Sequence, residues 1–192
     1  TGQVADWYDQ TANGNDASQS VSGSMPAIFS GLAPSTLIVE NGKPAVLFDD
    51  NDDFLTATGA TTDVLSFVSV VKSSGFTRAF GVYLGYLNFY LGTGFAFRAS
   101  AYVTITGNAN QNLHFGKYSS GTVSYGINGG SYTTGTGQTA ASSTDIVLGS
   151  NTSAGGLELD GPFQELVMWP SEQNDTNRTN IESNVNTFYS IY

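Results

Sequence analysis

The stretch Val64-Leu65-Ser66-Phe67-Val68-Ser69-Val70-Val71-Lys72 is built mostly from β-branched and aromatic residues. Both of its alternating sets of side chains are largely apolar. Because successive side chains of a strand point to opposite faces, the pattern predicts a strand that is covered on both sides. Such a strand belongs in the middle of a β-sandwich. The apolar run is too short, and too often interrupted by serine, to span a bilayer.

Similar short runs lie on both sides of this strand, separated by turn signals such as Asn41-Gly42, Ser74-Gly75 and Gly107-Asn108. Helical periodicity is nearly absent before residue 170. Many short strands joined by such turns predict an all-β antiparallel sandwich. The other predicted strands are Thr36–Glu40, Pro44–Phe48, Phe54–Ala57, Thr77–Leu84, Leu87–Leu91, Phe95–Thr106, Asn112–Gly116, Thr122–Ile127, Asp145–Leu148 and Phe163–Trp169.

Two segments call for separate predictions. In the strand Thr122–Ile127, Tyr125 and Ile127 alternate with Ser124 and Gly126, which predicts one face open to water. The Gly-, Thr- and Ser-rich segment 129–143 fits either a long exposed loop or two weak hairpin strands.

The C-terminus differs from the rest of the chain. Ile181, Val185, Phe188 and Tyr189 form one apolar helical stripe, which predicts a short helix from about Asp175 to Phe188 lying against the sandwich. We expect one domain over residues 1–192. The sequence opens at Thr1 in loop-like residues, as a piece of a longer chain would.

Composition narrows the classes of function. There are 16 acidic and 6 basic residues, for a net charge of −10, and no cysteine. The charge opposes binding to nucleic acids and insertion at anionic membranes. The absence of cysteine excludes disulfides, thiolate metal sites and a cysteine nucleophile. A surface covered by hydroxyls and amides is typical of proteins that face the outside of a cell, including fibres and adhesins.

Motifs near both ends of the chain carry a family resemblance. Residues 7–17 read WYDQTANGNDA, residues 41–45 read NGKPA, residues 48–55 read FDDNDDFL, and residues 159–166 read LDGPFQEL. This order resembles the concanavalin A-like lectin/glucanase superfamily, and most of all the laminin-G-like domains of phage and bacterial surface proteins. The first motif is also similar to the catalytic domain of fungal α-L-arabinofuranosidases. The resemblance implies a jelly roll of two antiparallel sheets that binds sugars, adheres, decorates capsids or, in some branches, hydrolyses glycosides.

Two groups of oxygen ligands are candidates for Ca²⁺, a hard cation that takes six to eight of them. The first is the rim tract of Asp49, Asp50, Asp52 and Asp53, where laminin-G-like domains often carry calcium; the alternative is a tight turn. The second group lies near the N-terminus, and its alternative is the turn chemistry of Asn and Asp side chains. It comprises Asp6, Asp9, Asn13, Asn15 and Asp16.

Three acids are weak candidates for catalysis. Concanavalin A-like glucanases carry E-x-D-x-(x)-E on one strand, and the counterparts here are Glu158, Asp160 and Glu165. Glu158 and Asp160 share a face, but Glu165 is five positions further on and lies on the other face unless a bulge intervenes. The alternative is a structural final strand. The single histidine, His114, has no nucleophile motif to serve and is expected to be a half-exposed strand residue.

Aromatic residues supply the candidate ligand contacts. The crowded group Tyr83, Tyr86, Phe89, Tyr90, Phe95, Phe97 and Tyr102 is expected to be core or cross-strand pairs. Tyr118 and Tyr132, set among Ser and Gly, are predicted to be exposed rings able to stack on sugars, and Trp7 is a third candidate.

The sequence therefore predicts a non-catalytic laminin-G-like module of a virion or bacterial surface assembly, extracellular, with rim loops that bind a glycan or neighbouring subunits of a homo-oligomer or larger assembly. A glycoside hydrolase, and a purely structural capsid or fibre decoration subunit, are the alternatives. Ca²⁺ is the one candidate cofactor.

Overall fold

The computed structural model describes residues 2–31, 34–59, 66–72, 88–91, 95–98, 102–105, 109–136, 145–150 and 158–192. In chain order, strands β1 to β9 are Gly2–Gln3, Asp6–Trp7, Ala17–Ser18, Ala27–Phe29, Val39–Glu40, Lys43–Pro44, Val46–Asp49, Leu55–Thr58 and Ser66–Val71. Strands β10 to β17 are Asn88–Leu91, Phe95–Arg98, Tyr102–Ile105, Asn112–Ser119, Thr122–Ile127, Thr133–Thr136, Asp145–Leu148 and Asp160–Trp169. Helix α1 spans Asp175–Tyr189.

The strands form two facing layers. The larger layer is an antiparallel sheet in the order β1-β4-β7-β17-β9-β13-β14-β15. The facing layer contains the sheets β16-β8-β3-β2 and β10-β11-β12, and β5 and β6 form a separate hairpin. The all-β prediction with one C-terminal helix is confirmed.

The main hydrophobic core lies between these layers. The large sheet contributes fully buried side chains such as Phe48 and Phe163, and the facing sheets contribute Leu55, Leu148 and Val103. Burying a large apolar side chain stabilises the fold by roughly 1.5–3 kcal/mol. This core therefore holds the two layers together.

A second core covers the outer face of the large sheet. Val68, Leu113 and Phe115 point to this side and pack beneath Ile181 and Val185 of α1. The strand β9 is consequently buried along its whole length, as the apolar character of both its alternating sets predicts. Predicted residues 64 and 65 lie outside the described residues.

Helix α1 has a side-chain cap at its N-terminus and ends at a residue with left-handed backbone conformation. The Asn174 side chain accepts a hydrogen bond from the Asn177 backbone N–H at 2.9 Å, and Ser190 ends the helix with φ 55°. Such a cap contributes about 1 kcal/mol. The predicted helix is confirmed, with one difference. Phe188, expected on its buried stripe, is 54% exposed.

Several strand predictions need correction. The predicted strand Phe95–Thr106 is two strands, β11 and β12, which pair antiparallel with Phe97 opposite Val103. The run between them contains no Gly, Pro, Asn or Asp, so the reversal leaves no turn signal in the sequence. Segment 129–143 contains one strand, β15, and its residues beyond 136 lie outside the described residues, as does the predicted strand Thr77–Leu84.

The water-exposed face predicted for β14 is also wrong. Ser124 is 8% exposed and Gly126 is buried, because α1 covers this side of the sheet. A Cβ added at Gly126 would lie 2.8 Å from the Arg178 guanidinium. A side chain at this position would therefore displace the Arg178 guanidinium.

One β-bulge divides β17 into two halves. Phe163 pairs with Val71 and Glu165 pairs with Val70, so Gln164 is an extra residue in the ladder. The Gln164 amide donates towards the carbonyl oxygens of Glu40, Lys43 and Pro44, each at 3.1 Å. Its side-chain oxygen accepts from Gln111. The bulge thus connects β17 to the β5–β6 hairpin.

Candidate functional site

An open groove of about 420 Å³ runs between α1 and the outer face of β17, and we call it the α1–β17 groove. The sheet contributes Val68, Glu165, Val167 and Trp169, and the helix contributes Asn180, Ile181, Asn184, Val185, Phe188 and Tyr189. Aliphatic and aromatic surface with a few polar groups among it is the usual composition of a ligand site.

Glu165 is the charged residue of the groove lining. The Tyr189 hydroxyl donates a hydrogen bond to its Oε2 at 2.7 Å, and Tyr189 itself is 6% exposed. Burial and the neighbouring carboxylate together raise the pKa of the Tyr189 phenol above its ordinary value. The phenol therefore stays protonated and holds one oxygen of the carboxylate in place.

Aromatic rings lie at both sides of the groove. Trp169 packs against the second core from the sheet side, and Phe188 lies on the helix side beside Tyr189, with ring centroids 4.8 Å apart. The Lys43 ammonium is 4.1 Å from the centre of the Phe188 ring, a cation–π contact. Lys43 belongs to β6, which Gln164 holds in position.

The sequence analysis missed this groove as a site. Trp169, Asn180 and Asn184 were not singled out, although two signals point to them. Glu165, Val167 and Trp169 alternate along one face of the final strand. Asn180 and Asn184 are four apart on the helix, beside the apolar stripe.

The three acids proposed for catalysis do not assemble around Glu165. The bulge at Gln164 shifts the alternation by one residue, so Asp160 and Glu165 share the outer face, which is the case that the sequence analysis named for an intervening bulge. Five strand positions nevertheless separate them by roughly 15 Å. Glycosidases need their two carboxyl groups about 5–10 Å apart. Glu158 lies two residues before Asp160, ahead of the first residue of β17.

The rim tract forms a compact acidic turn after β7. Carboxylate oxygens of Asp49, Asp52 and Asp53 all lie within 4.8 Å of one another, whereas Asp50 is outside this group. Asp50 instead adopts φ 67° and donates its backbone N–H to the Leu159 carbonyl at 3.0 Å. A left-handed Asp is a turn residue. The structure thus brings three of the four predicted metal ligands together.

Hydrogen bonds already occupy much of this donor set. Asp52 accepts from the Ser24 hydroxyl at 3.2 Å and from the Asn51 amide at 3.1 Å. Asp49 accepts from the Asn51 backbone N–H at 3.1 Å. Three clustered carboxylates suit a hard cation, and one oxygen from each fills three of the six to eight positions around Ca²⁺. The tract fits a partial calcium site and an acidic turn equally, so calcium stays a prediction.

The titration of Asp53 allows a test between a calcium site and an acidic turn. Burial, together with repulsion from the Asp49 and Asp52 carboxylates, raises its pKa to about 7. A carboxyl with a raised folded-state pKa loses stabilisation as the pH rises from its unfolded value of 3.8 through 7. We expect Asp53→Asn, measured by thermal unfolding in chelator, to raise the melting temperature on the order of 5 °C at pH 8 and to leave it unchanged at pH 4.

Excess calcium gives the control for this prediction. If the tract holds Ca²⁺, calcium will stabilise the wild type at pH 8 and will fail to stabilise Asp53→Asn, which lacks the charge. A variant that melts below the wild type at pH 8 in chelator would contradict the assigned cause.

The N-terminal acidic loop is explained by turn chemistry. Asp9 accepts hydrogen bonds from the backbone N–H groups of Thr11 at 2.8 Å and Asn15 at 3.0 Å, and these bonds lower its pKa. The Asp16 carboxylate accepts from the Asp9 N–H at 2.8 Å. Asp6 lies in β2, and the Asn13 N–H donates to the Thr11 hydroxyl at 3.2 Å. The side-chain oxygens of this loop therefore accept hydrogen bonds from backbone N–H groups of the same loop, as turn residues do.

Comparison with known proteins gives the fold. No family model and no curated protein matches the chain. A GH54 α-L-arabinofuranosidase structure is similar over 95% of this chain and 50% of its own, at 14% identity and a TM-score of 0.68. Domain 4 of AbnA, a GH43 extracellular arabinanase from Geobacillus stearothermophilus in complex with arabinotriose, is similar over 74% of this chain and 79% of its own, at 16% identity and a TM-score of 0.56. The chain has a concanavalin A-like jelly-roll fold.

A third similar structure, the heptameric SAP-like pentraxin of Limulus polyphemus, matches over 73% of this chain and 82% of its own, at 13% identity and a TM-score of 0.53. These likenesses support the concanavalin A-like jelly roll and leave the narrower laminin-G-like and phage assignments as predictions. The chain spans half the length of the arabinofuranosidase. In the described part of the jelly roll, no helix is long and apolar enough to cross a membrane.

The predicted ligand-binding aromatics are packed into this concanavalin A-like sandwich. Trp7 packs edge-on against Phe163 in the main core, with ring centroids 5.5 Å apart. Tyr118 is half-buried against the same core. Tyr132 is half-buried, and the Arg178 guanidinium lies 4.0 Å from its ring centre. The prediction that Tyr118 and Tyr132 are exposed is therefore wrong, because α1 and the facing sheet cover this region.

His114 is also more buried than predicted. It is fully buried inside the jelly roll, with its Nδ1 2.7 Å from the Tyr125 hydroxyl and the two rings stacked. Burial lowers the pKa of the imidazole to about 3. The histidine is neutral at physiological pH and forms part of the core.

Proposed function

We propose that this jelly roll is a non-catalytic glycan-binding module and that the α1–β17 groove is its binding site. The groove composition carries the proposal. Trp169 and Phe188 offer apolar ring surface, and Glu165, Asn180 and Asn184 offer hydrogen-bonding groups. Sugars present both kinds of surface, since they carry apolar C–H patches between hydroxyl groups. The similarity to a domain bound to arabinotriose is consistent with this proposal.

The separation of the acids favours binding over hydrolysis. Glu165 is the carboxylate of the groove lining, and Asp160, five positions away on β17, lies beyond the distance that a glycosidase pair requires. A bound saccharide would therefore contact one carboxylate and would not be hydrolysed. We further propose an extracellular location on a cell surface or virion, where such ligands occur.

The first test is loss of binding in a groove variant. We expect Trp169→Ala to weaken binding of arabinotriose, or of the best saccharide on a glycan array, at least tenfold in calorimetric titration, because the variant loses the ring surface. Asn184→Ala, at an exposed position, should also weaken binding without affecting folding. Tyr8→Ala is the matched control, because Tyr8 is 64% exposed and lies outside the groove lining.

Other outcomes separate the alternatives. Release of reducing sugar that disappears in Glu165→Gln would favour a glycoside hydrolase. No binding on any array would instead favour a subunit of a larger assembly. The surface for that role is an apolar strip at the sheet edge, with Phe29 39%, Leu37 41% and Val39 52% exposed.

A further inference from the structure

We infer that the α1–β17 groove selects uncharged saccharides over acidic ones, with Glu165 as the specificity-determining residue. This inference rests on the proposed function and names the class of ligand that the groove takes. It is carried by three observations: the position of the Glu165 carboxylate, the engagement of the nearby cations, and the amides on the opposite wall.

The Glu165 carboxylate is a positioned acceptor inside the groove. Tyr189 donates to Oε2, and within the described part of the chain no second hydrogen bond to Glu165 is formed. Oε1 is thus left to accept a hydrogen bond from a ligand. A hydroxyl that donates to a carboxylate forms a charge-assisted bond, roughly twice as strong as a neutral one. A carboxylate, sulfate or phosphate on the ligand would be repelled at the same place.

Three of the described cations form ion pairs with carboxylates of the protein. Lys72 pairs with Glu40 at 3.0 Å, Lys117 with Asp175 at 2.9 Å, and Arg178 with Glu182 at 2.8 Å. These three side chains are therefore occupied by carboxylates of the protein.

Lys43 is the described cation closest to the groove, and it lies over the Phe188 ring rather than beside Glu165. The whole chain carries a charge of −10, which disfavours the approach of anionic ligands in general. An anionic group placed beside Glu165 would consequently lose its hydration shell and meet a carboxylate instead of a cation.

The helix side of the groove suits hydroxyl groups. Asn180 and Asn184 are both exposed, and each carries an amide that can donate and accept. A sugar hydroxyl also donates and accepts, so it can bond to the amides on one wall and to Glu165 on the other. An anionic group accepts only, and it can use the amides but not the carboxylate.

The test compares matched ligands that differ only in charge. Each neutral saccharide that binds on the array is titrated beside its uronic-acid counterpart, and trigalacturonic acid is compared with its methyl ester. We expect the neutral member of each pair to bind at least tenfold more tightly. Its affinity should be the same in 20 and 300 mM NaCl, because no ion pair forms.

Two variants assign the selection to Glu165. Glu165→Gln keeps the shape and removes the charge, so the neutral-to-acidic ratio should fall at least threefold while the melting temperature changes little. Tyr189→Phe releases the carboxylate, and it should weaken neutral binding and leave the ratio above that of Glu165→Gln.

The possible results distinguish a failure of the charge selection from a failure of glycan binding. Equal binding of both members, or an unchanged ratio in Glu165→Gln, overturns the inference and leaves the glycan-binding function in place. No binding to any saccharide overturns the proposed function itself.

Discussion

Arg178→Met is expected to lower the free energy of unfolding by about 3–5 kcal/mol, because it leaves Glu182 as an unpaired buried charge. The Arg178 Nε–H donates to Glu182 at 2.8 Å, and the two side chains are only 10% and 5% exposed. Burial raises the pKa of Glu182, and the hydrogen bonds and charge of Arg178 oppose that rise. Equilibrium unfolding in urea at pH 7 measures the loss.

Two further variants show whether the ion pair is the cause. The double change Arg178→Met/Glu182→Leu should recover most of the stability, because apolar residues of similar size often replace a buried pair without loss. Lys117→Met is the exposed comparison. Its partner Asp175 is 80% exposed, and such pairs contribute about 0–1 kcal/mol. A single Arg178→Met variant as stable as Lys117→Met would refute the assignment.

Lowering the pH from 7 to 4 is expected to cost about 3 kcal/mol of stability through His114 alone. The unfolded histidine titrates near pH 6.5, whereas the buried imidazole has a pKa of about 3. Between these two values the unfolded chain takes up a proton that the folded chain does not. Stability from this group is therefore complete above pH 6.5 and declines as the pH falls towards 3.

The measurement isolates His114 from the acidic residues. Urea unfolding of the wild type and of His114→Phe/Tyr125→Phe is compared at pH 7, 5.5 and 4. Both hydrogen-bonding partners are removed together, so no buried hydroxyl remains unpaired, and Asp53 contributes equally to both proteins. The stability difference should shift by about 3 kcal/mol in favour of the variant at pH 4. Parallel pH curves would contradict the prediction.

Much of the fold follows from local sequence pattern. The double-sided strand β9, the strands β14 and β16 and the helix α1 were all predictable, because period 2 and period 3.6 are set by burial of one or both faces. The reversal between β11 and β12 and the two-residue strands near the N-terminus were not predictable. Their pairing partners are distant in sequence, and short runs carry little periodicity of their own.

The candidate site was predictable only in part. Glu165 was identified as a site candidate, but its face depended on whether a bulge intervenes, and the sequence pattern does not reveal the bulge at Gln164. Trp169 and Asn184 meet only because α1 packs back across β17, and that arrangement is tertiary. Three of the four predicted rim acids, Asp49, Asp52 and Asp53, lie together without Asp50, because a tight turn brings near neighbours together whatever the rest of the fold does.

The extra residue in β17 also sets the breadth of the ligand site. Gln164 fixes the β5–β6 hairpin, the hairpin carries Lys43, and Lys43 lies over Phe188 at one end of the groove. A relative that lacks this residue would lose that chain of contacts, and its groove would be unbounded at that end. If the groove binds a saccharide as proposed, a one-residue insertion in a backbone ladder would thereby limit the length of chain that it accepts.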